Sequence, residues 1–116
     1  MKTVRFEIMH PDEAMGRVIR EAGIGEYDGQ ARITFRSAES MARVLTPTRW
    51  TVVQALTGAG PVGVRELARR VDRDVKGVHT DVNALVTAGI VDRTEDGKYL
   101  FPFDRVKVQF ELHAAA

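Results

Sequence analysis

Cysteine is absent from the 116-residue chain, which excludes disulfides, thiolate metal sites and cysteine nucleophiles. No apolar run approaches the roughly 20 residues needed to cross a bilayer, and no signal-peptide pattern opens the sequence, so a cytoplasmic protein without a membrane span is expected. Catalytic signatures are missing too. There is no GxxxxGK loop and no HExxH, and no serine stands in a recognisable relation to a histidine and an aspartate. Gly23-Ile24-Gly25 follows an expected helix rather than a strand, so it is not a dinucleotide fingerprint. His10, His79 and His113 are too scattered for a metal site. No catalytic residue, metal or cofactor is assigned, and an enzyme is not expected. Charge of one sign is scarce as well: the net charge is +1, far from the excess of a protein that binds nucleic acid by bulk attraction alone.

What is present is an ordinary folded composition, 44% hydrophobic and 28% charged, long enough for one domain with its own core. The chain is organised around Val64 to Gly89, which reads as two helices joined by a tight turn. In the first, Leu67, Ala68 and Val71 share a face; in the second, Val75, Val78, Val82, Leu85 and Val86 recur at helical spacing, so the two stripes can bury each other. Asp74 is placed to N-cap the second helix, and Gly89 takes the position after its last turn that favours glycine. A helical wheel puts Lys76, Thr80 and Asn83 opposite the apolar stripe, with Gly77 and Ala84 beside them. A second helix fixed by its apolar side, showing short donors and acceptors, is what a helix-turn-helix needs to enter a major groove. Arg65, Arg69, Arg70, Arg73 and Lys76 outnumber Glu66, Asp72 and Asp74, which leaves the motif modestly basic.

The rest divides around that pair. Residues 2 to 8 alternate as a half-buried strand with Val4, Phe6 and Ile8 on one side. Pro11 opens an expected helix with Val18 and Ile19 on its apolar side, residues 23 to 29 read as a loop by their glycines, and residues 30 to 37 form a second strand. Ser37 caps a short helix, Ala38 to Leu45. Thr46-Pro47 starts another, running through Thr57, whose Trp50 reads as packing rather than a stacking platform. Gly63 stands where a side-chain cap would be expected. After Gly89, Ile90 to Thr94 and Lys98 to Phe101 flank Glu95-Asp96-Gly97, a tight-hairpin signal. Arg105 to Leu112 alternates as a last strand. The expected class is α+β, with an N-terminal strand-helix-strand segment over 1–45, a helical unit with its hairpin over 46–103 and a C-terminal strand and tail over 104–116.

Three helices followed by a hairpin, with the run LARRVDRDVKGVHTDVNALVTAGIVDRTEDGKY, resemble the winged helix-turn-helix of MarR-like regulators. LTPTRW, RELARRVDRDVKGVHTDVNAL and the strand after FPFD are similar, more narrowly, to a small family of DNA-binding proteins often encoded beside TumE-type toxins. The resemblance implies that the helix from Val75 to Ala88 is the recognition helix and that residues 90 to 101 form the wing. It nominates Lys76, Gly77, His79 and Thr80 for the groove of double-stranded DNA, and Arg93 and Lys98 for phosphates. It further implies a homodimer on a pseudo-palindrome, often the protein's own promoter, and a possible role in neutralising a toxin.

Beside the resemblance, Arg69, Arg70, Arg73 and Asn83 complete the candidate DNA-binding set, because phosphate contacts tolerate varied geometry. His79 lies between the apolar and polar faces, open to base contact or to a structural hydrogen bond. Asp81 would repel phosphates if it faced them, and pairing with Arg69 or Arg70 is expected to hold it aside. The strands at 2–8, 30–37 and 105–112 exceed what a winged helix needs, and unpaired edges of that kind invite another chain. The expected function is transcriptional regulation by sequence-specific DNA binding, an autorepressor in the first reading. The alternatives are an antitoxin that covers its toxin through residues 1–45, with DNA binding secondary, and a winged helix used purely for protein contact.

Overall fold

The computed structural model describes residues 1–9, 24–27, 30–112 and 114; the helix expected from Pro11, together with His10 and His113, lies outside them. The described chain is α+β. Strands β1 (Thr3–Ile8), β2 (Ile24–Tyr27) and β3 (Gln30–Phe35) come first. Helices α1 (Ala38–Val44), α2 (Pro47–Leu56), α3 (Val64–Val71) and α4 (Val75–Thr87) follow, then the short hairpin β4 (Asp92–Arg93) and β5 (Tyr99–Leu100), and last β6 (Arg105–Gln109).

The larger sheet has the order β2-β3-β1-β6. β1 sits inside it, parallel to β3 with Phe6 beside Ile33, and parallel to β6 with Phe6 beside Val108. The three alternating strands thus satisfy one another's backbone groups instead of leaving three separate open edges. β2, antiparallel to β3, occupies residues 24–27 of the stretch expected as a loop over 23 to 29. In the sequence, Asp28-Gly29 stands between β2 and β3, the same dipeptide signal as Asp96-Gly97 between β4 and β5.

Capping chemistry sets the helix starts. Ser37 accepts from the Ser40 N–H, Thr46 from the Arg49 N–H ahead of Pro47, and Asp74 from the Gly77 N–H at 3.0 Å. Gly63 precedes α3 without a side-chain cap. Asp72, after α3, adopts the left-handed conformation with φ 54°, which makes the turn into α4 tight enough for the two helices to pack. A β-branched residue pays most steric penalty in that region, so Asp72→Val is expected to cost about 1–2 kcal/mol. Asp72→Gly should keep the fold, as urea denaturation of the two variants will show.

One core joins the sheet to the helices. Val4, Phe6, Ile33 and Phe35 are buried on one sheet face and form a cluster with Val52, Val53 and Leu56 of α2, Leu67 of α3, and Val78, Val82 and Leu85 of α4. Phe6 is central to it, with ring centroids 6.0 Å from Phe35, 5.8 Å from Trp50 and 6.3 Å from Phe101. Val75, counted with the apolar stripe of α4, is instead 42% exposed, because the first residue of the helix lies beyond the reach of α3. Among the described residues no helix is long and apolar enough to cross a membrane.

Candidate nucleic-acid interface

Helix α4 is amphipathic, and burial fixes its inner side. Val78, Val82 and Leu85 are fully buried, while Lys76, His79 and Thr80 are exposed. Nothing inside the protein holds Lys76: it is exposed and makes no ion pair among the described residues. Thr80 turns its hydroxyl back to donate to the Lys76 carbonyl oxygen, which leaves the oxygen as a free acceptor.

The orientation of α4 is set by a carboxylate. Asp81 accepts from Arg73 Nη1 at 2.8 Å and from Arg49 Nε at 3.3 Å. Arg49 also donates to the carbonyl oxygens of Arg43 and Val44, so one guanidinium ties the end of α1 and helix α2 to α4. Asp81 was expected to pair with Arg69 or Arg70. Those two instead meet Glu66, within one turn of α3, at 3.1 and 3.5 Å, because helical neighbours are closer to them than the far side of α4. Burial pushes the Asp81 carboxyl up, but the hydrogen bonds from Arg73, Arg49 and Thr48, in that order, outweigh it and hold the group below the usual carboxylate value.

Gly77 has a local reason. A Cβ there would stand 3.0 Å from an Arg73 guanidinium nitrogen and 3.1 Å from the Asp74 carboxylate. Gly77 and Asp81 lie one turn apart on the same side of α4, so the missing side chain leaves the lane along which Arg73 reaches Asp81. Arg73 is therefore engaged inside the protein, whereas Arg69 and Arg70 are held only by surface pairs, which contribute little and are readily exchanged.

A second polar chain runs from α4 to the hairpin. The Tyr99 hydroxyl donates to Asn83 Oδ1 at 3.1 Å, and the Asn83 amide nitrogen lies 3.0 Å from His79 Nε2. A buried tyrosine needs a partner for its hydroxyl, and Asn83 supplies it. Asn83 is half-buried and spends its amide within the protein, while His79 stays exposed at the outer end of the chain. The hairpin itself is shorter than the sequence suggests, with strands of two residues each. Its turn is closed by Gly97 at φ 82° and by Thr94, whose hydroxyl donates to Asp96. Arg93 stacks its guanidinium 5.6 Å from the Tyr99 ring centroid, and Lys98 is exposed with Asp96 at 4.0 Å.

The structure therefore collects Lys76, His79 and Thr80 on one open helix side and ties the hairpin bearing Arg93 and Lys98 to that helix through Tyr99. Asn83, Gly77 and Arg73 hold the arrangement together. Arg49 and Tyr99 were missed as site residues. Tyr99 was findable, since an inward tyrosine beside an Asp-Gly turn must bond something; Arg49 was not, because its partner is remote in sequence.

A family model, HVO_A0114, matches residues 44–108, more than half of the chain. The chain belongs to the HVO_A0114 family. The segment matched by the HVO_A0114 model runs from the end of α1 into β6. It contains the Arg49–Asp81–Arg73 clasp, the open side of α4 and the whole hairpin, while β1, β2 and β3 precede it. No curated protein and no solved structure matches the chain.

Proposed function

We propose that this protein is a sequence-specific DNA-binding transcriptional regulator of the winged helix-turn-helix type, acting on the promoter of its own gene. In this reading α4 enters the major groove of double-stranded DNA, and the β4–β5 hairpin is the wing that meets the backbone. The observation that carries it is the open side of α4, where Lys76, His79 and Thr80 present a cation, a ring nitrogen and a hydroxyl acceptor on a helix whose other side is immobilised. Short side chains on a rigid helix are what direct readout of base edges requires. In the same reading Arg69, Arg70, Arg93 and Lys98 take phosphates, contacts that fix register without reading sequence.

Fluorescence anisotropy with DNA from upstream of the gene, against scrambled DNA, tests it. The expected result is preferential binding to the upstream sequence, weakening steeply with salt as phosphate contacts release counterions. Lys76→Ala should weaken binding about tenfold, consistent with loss of roughly 1–3 kcal/mol for one base contact. Arg93→Ala should weaken both DNAs alike and flatten the salt slope by about one. Equal or absent binding to the two DNAs overturns the reading in favour of protein contact.

A further inference from the structure

β6 is an edge strand: β1 covers one side of it, and no described strand covers the other. Its backbone phase is fixed by the Arg105 N–H, which donates to the Lys2 carbonyl oxygen of the β1 side. Because backbone groups alternate sides along a strand, Arg105, Lys107 and Gln109 turn theirs to β1, and Val106 and Val108 turn theirs outward. The outward ladder is therefore unused. It is also apolar on the core face. Val106 and Val108 share that face with Val4 and Phe6, yet Val108 is 46% exposed, Phe110 43% and Leu112 82%. Between this strand and α2 lies a cavity of about 370 Å³, lined by Trp50, Val53, Thr57, Val106 and Val108 among others.

We propose that β6 is a self-association strand, on which two copies of this chain pair antiparallel about a two-fold axis at Val108. The charge pattern along the strand and the length of the strand together select the occupant and the register. With the axis at Val108, Arg105 of each copy lies across from Glu111 of the other, Lys107 across from Gln109, and Val106 across from Phe110. Every opposition is complementary or neutral, and the apolar side chains of both copies fall on one continuous face. An axis at Lys107 would set two lysines against each other. An axis at Gln109 would exchange the Arg105–Glu111 opposition for Lys107–Glu111 and carry the overlap to residue 113, twice as far past the end of the strand at Gln109 as the axis at Val108 does. In the Val108 register each copy's Phe110 stands beside the other's Val106, at the mouth of the cavity, so pairing covers the groove and the exposed apolar residues together. The sheets of the two copies become one. This inference rests on strand geometry and side-chain pattern and stands or falls separately from DNA binding.

The natural lack of cysteine makes the register directly measurable. Lys107 and Gln109 form the non-hydrogen-bonded pair in the proposed ladder, with Cβ atoms roughly 4.5–5.5 Å apart, close to disulfide reach. Mild oxidation of a mixture of Lys107→Cys and Gln109→Cys chains is expected to give a disulfide-linked pair, and neither variant alone should do so. Sedimentation of the unmodified protein at tens of micromolar is expected to show twice the 12.9 kDa chain mass, and Val108→Glu should return it to the single chain mass with an unchanged circular dichroism spectrum. A monomeric unmodified protein, a dimer that survives Val108→Glu, or a disulfide formed by either cysteine variant alone would overturn the proposal. Should Val108→Glu unfold, the cross-linking arms decide by themselves.

Discussion

Phe6→Ala is expected to destabilise the protein by about 3–5 kcal/mol, the loss typical of truncating a fully buried phenylalanine. Phe6 has no exposed surface and its ring lies against one aromatic from β3, one from α2 and one following β5. Removing it empties the place where sheet, helices and hairpin meet, so the surrounding rings cannot collapse onto the void without moving a whole element. Against a net stability of roughly 5–15 kcal/mol for a domain, the variant should be close to unfolded at ambient temperature. Equilibrium urea unfolding followed by tryptophan fluorescence reads this directly, since Trp50 is one of the contacting rings. A loss under about 1 kcal/mol would mean that the sheet and the helices do not share a core.

The second large effect falls on Asp81. Asp81→Ala leaves Arg73 and Arg49 facing each other across a partly buried gap, and breaking a buried pair of this kind costs roughly 3–5 kcal/mol. Here the arginine side chains are 28% and 24% exposed and can turn to water, which lowers the expected loss to about 2 kcal/mol. Acid has the same effect on the unmodified protein. The native carboxyl is held below its ordinary value of 3.8, so its stabilising contribution is complete above that value and disappears as the pH falls through the lower native value. Thermal unfolding from neutral pH down into the acid range should therefore show a steeper acid decline in the unmodified protein than in Asp81→Asn. Equal slopes would mean that the clasp contributes nothing to stability. Because the clasp also sets the angle of α4, Asp81→Ala should lower any DNA affinity more than the exposed-residue substitutions do, with the stability loss measured alongside.

Much of this architecture follows from local rules. Ser37, Thr46 and Asp74 start their helices because each offers an oxygen to an unsatisfied N–H three residues on, and the period of Val78, Val82 and Leu85 names the inner side of α4. Alternation at residues 3 to 8 and 105 to 109 identifies strands, and Asp96-Gly97 places the hairpin turn. What local rules do not contain is pairing. Nothing in the alternation of β1 says that β3 and β6 will flank it, and both arrangements are parallel, so no short turn announces them. The site divides the same way. The exposed side of α4 is readable from a helical wheel, but the partner of Asp81 is not, since several arginines lie within plausible reach and the choice depends on how α2 crosses α4. Gly77 shows the limit most clearly: its cost to the helix is visible in the sequence, whereas the guanidinium occupying the freed space is a property of the fold.

The placement of β1 between β3 and β6 has a consequence for the order in which the protein can assemble. Lys2 and Asp104 are joined by hydrogen bonds in both directions, although nearly the whole chain lies between them. During synthesis β1 and β3 can meet early, but the other side of β1 stays open until the helices and the hairpin have emerged and β6 follows. Closing so long a loop is slow relative to forming helices, so the sheet's last ladder is the final event of folding. Until then a newly made chain leaves one side of β1 unpaired beside an apolar face, and that interval is when the nascent protein is most exposed to wrong pairings with its neighbours.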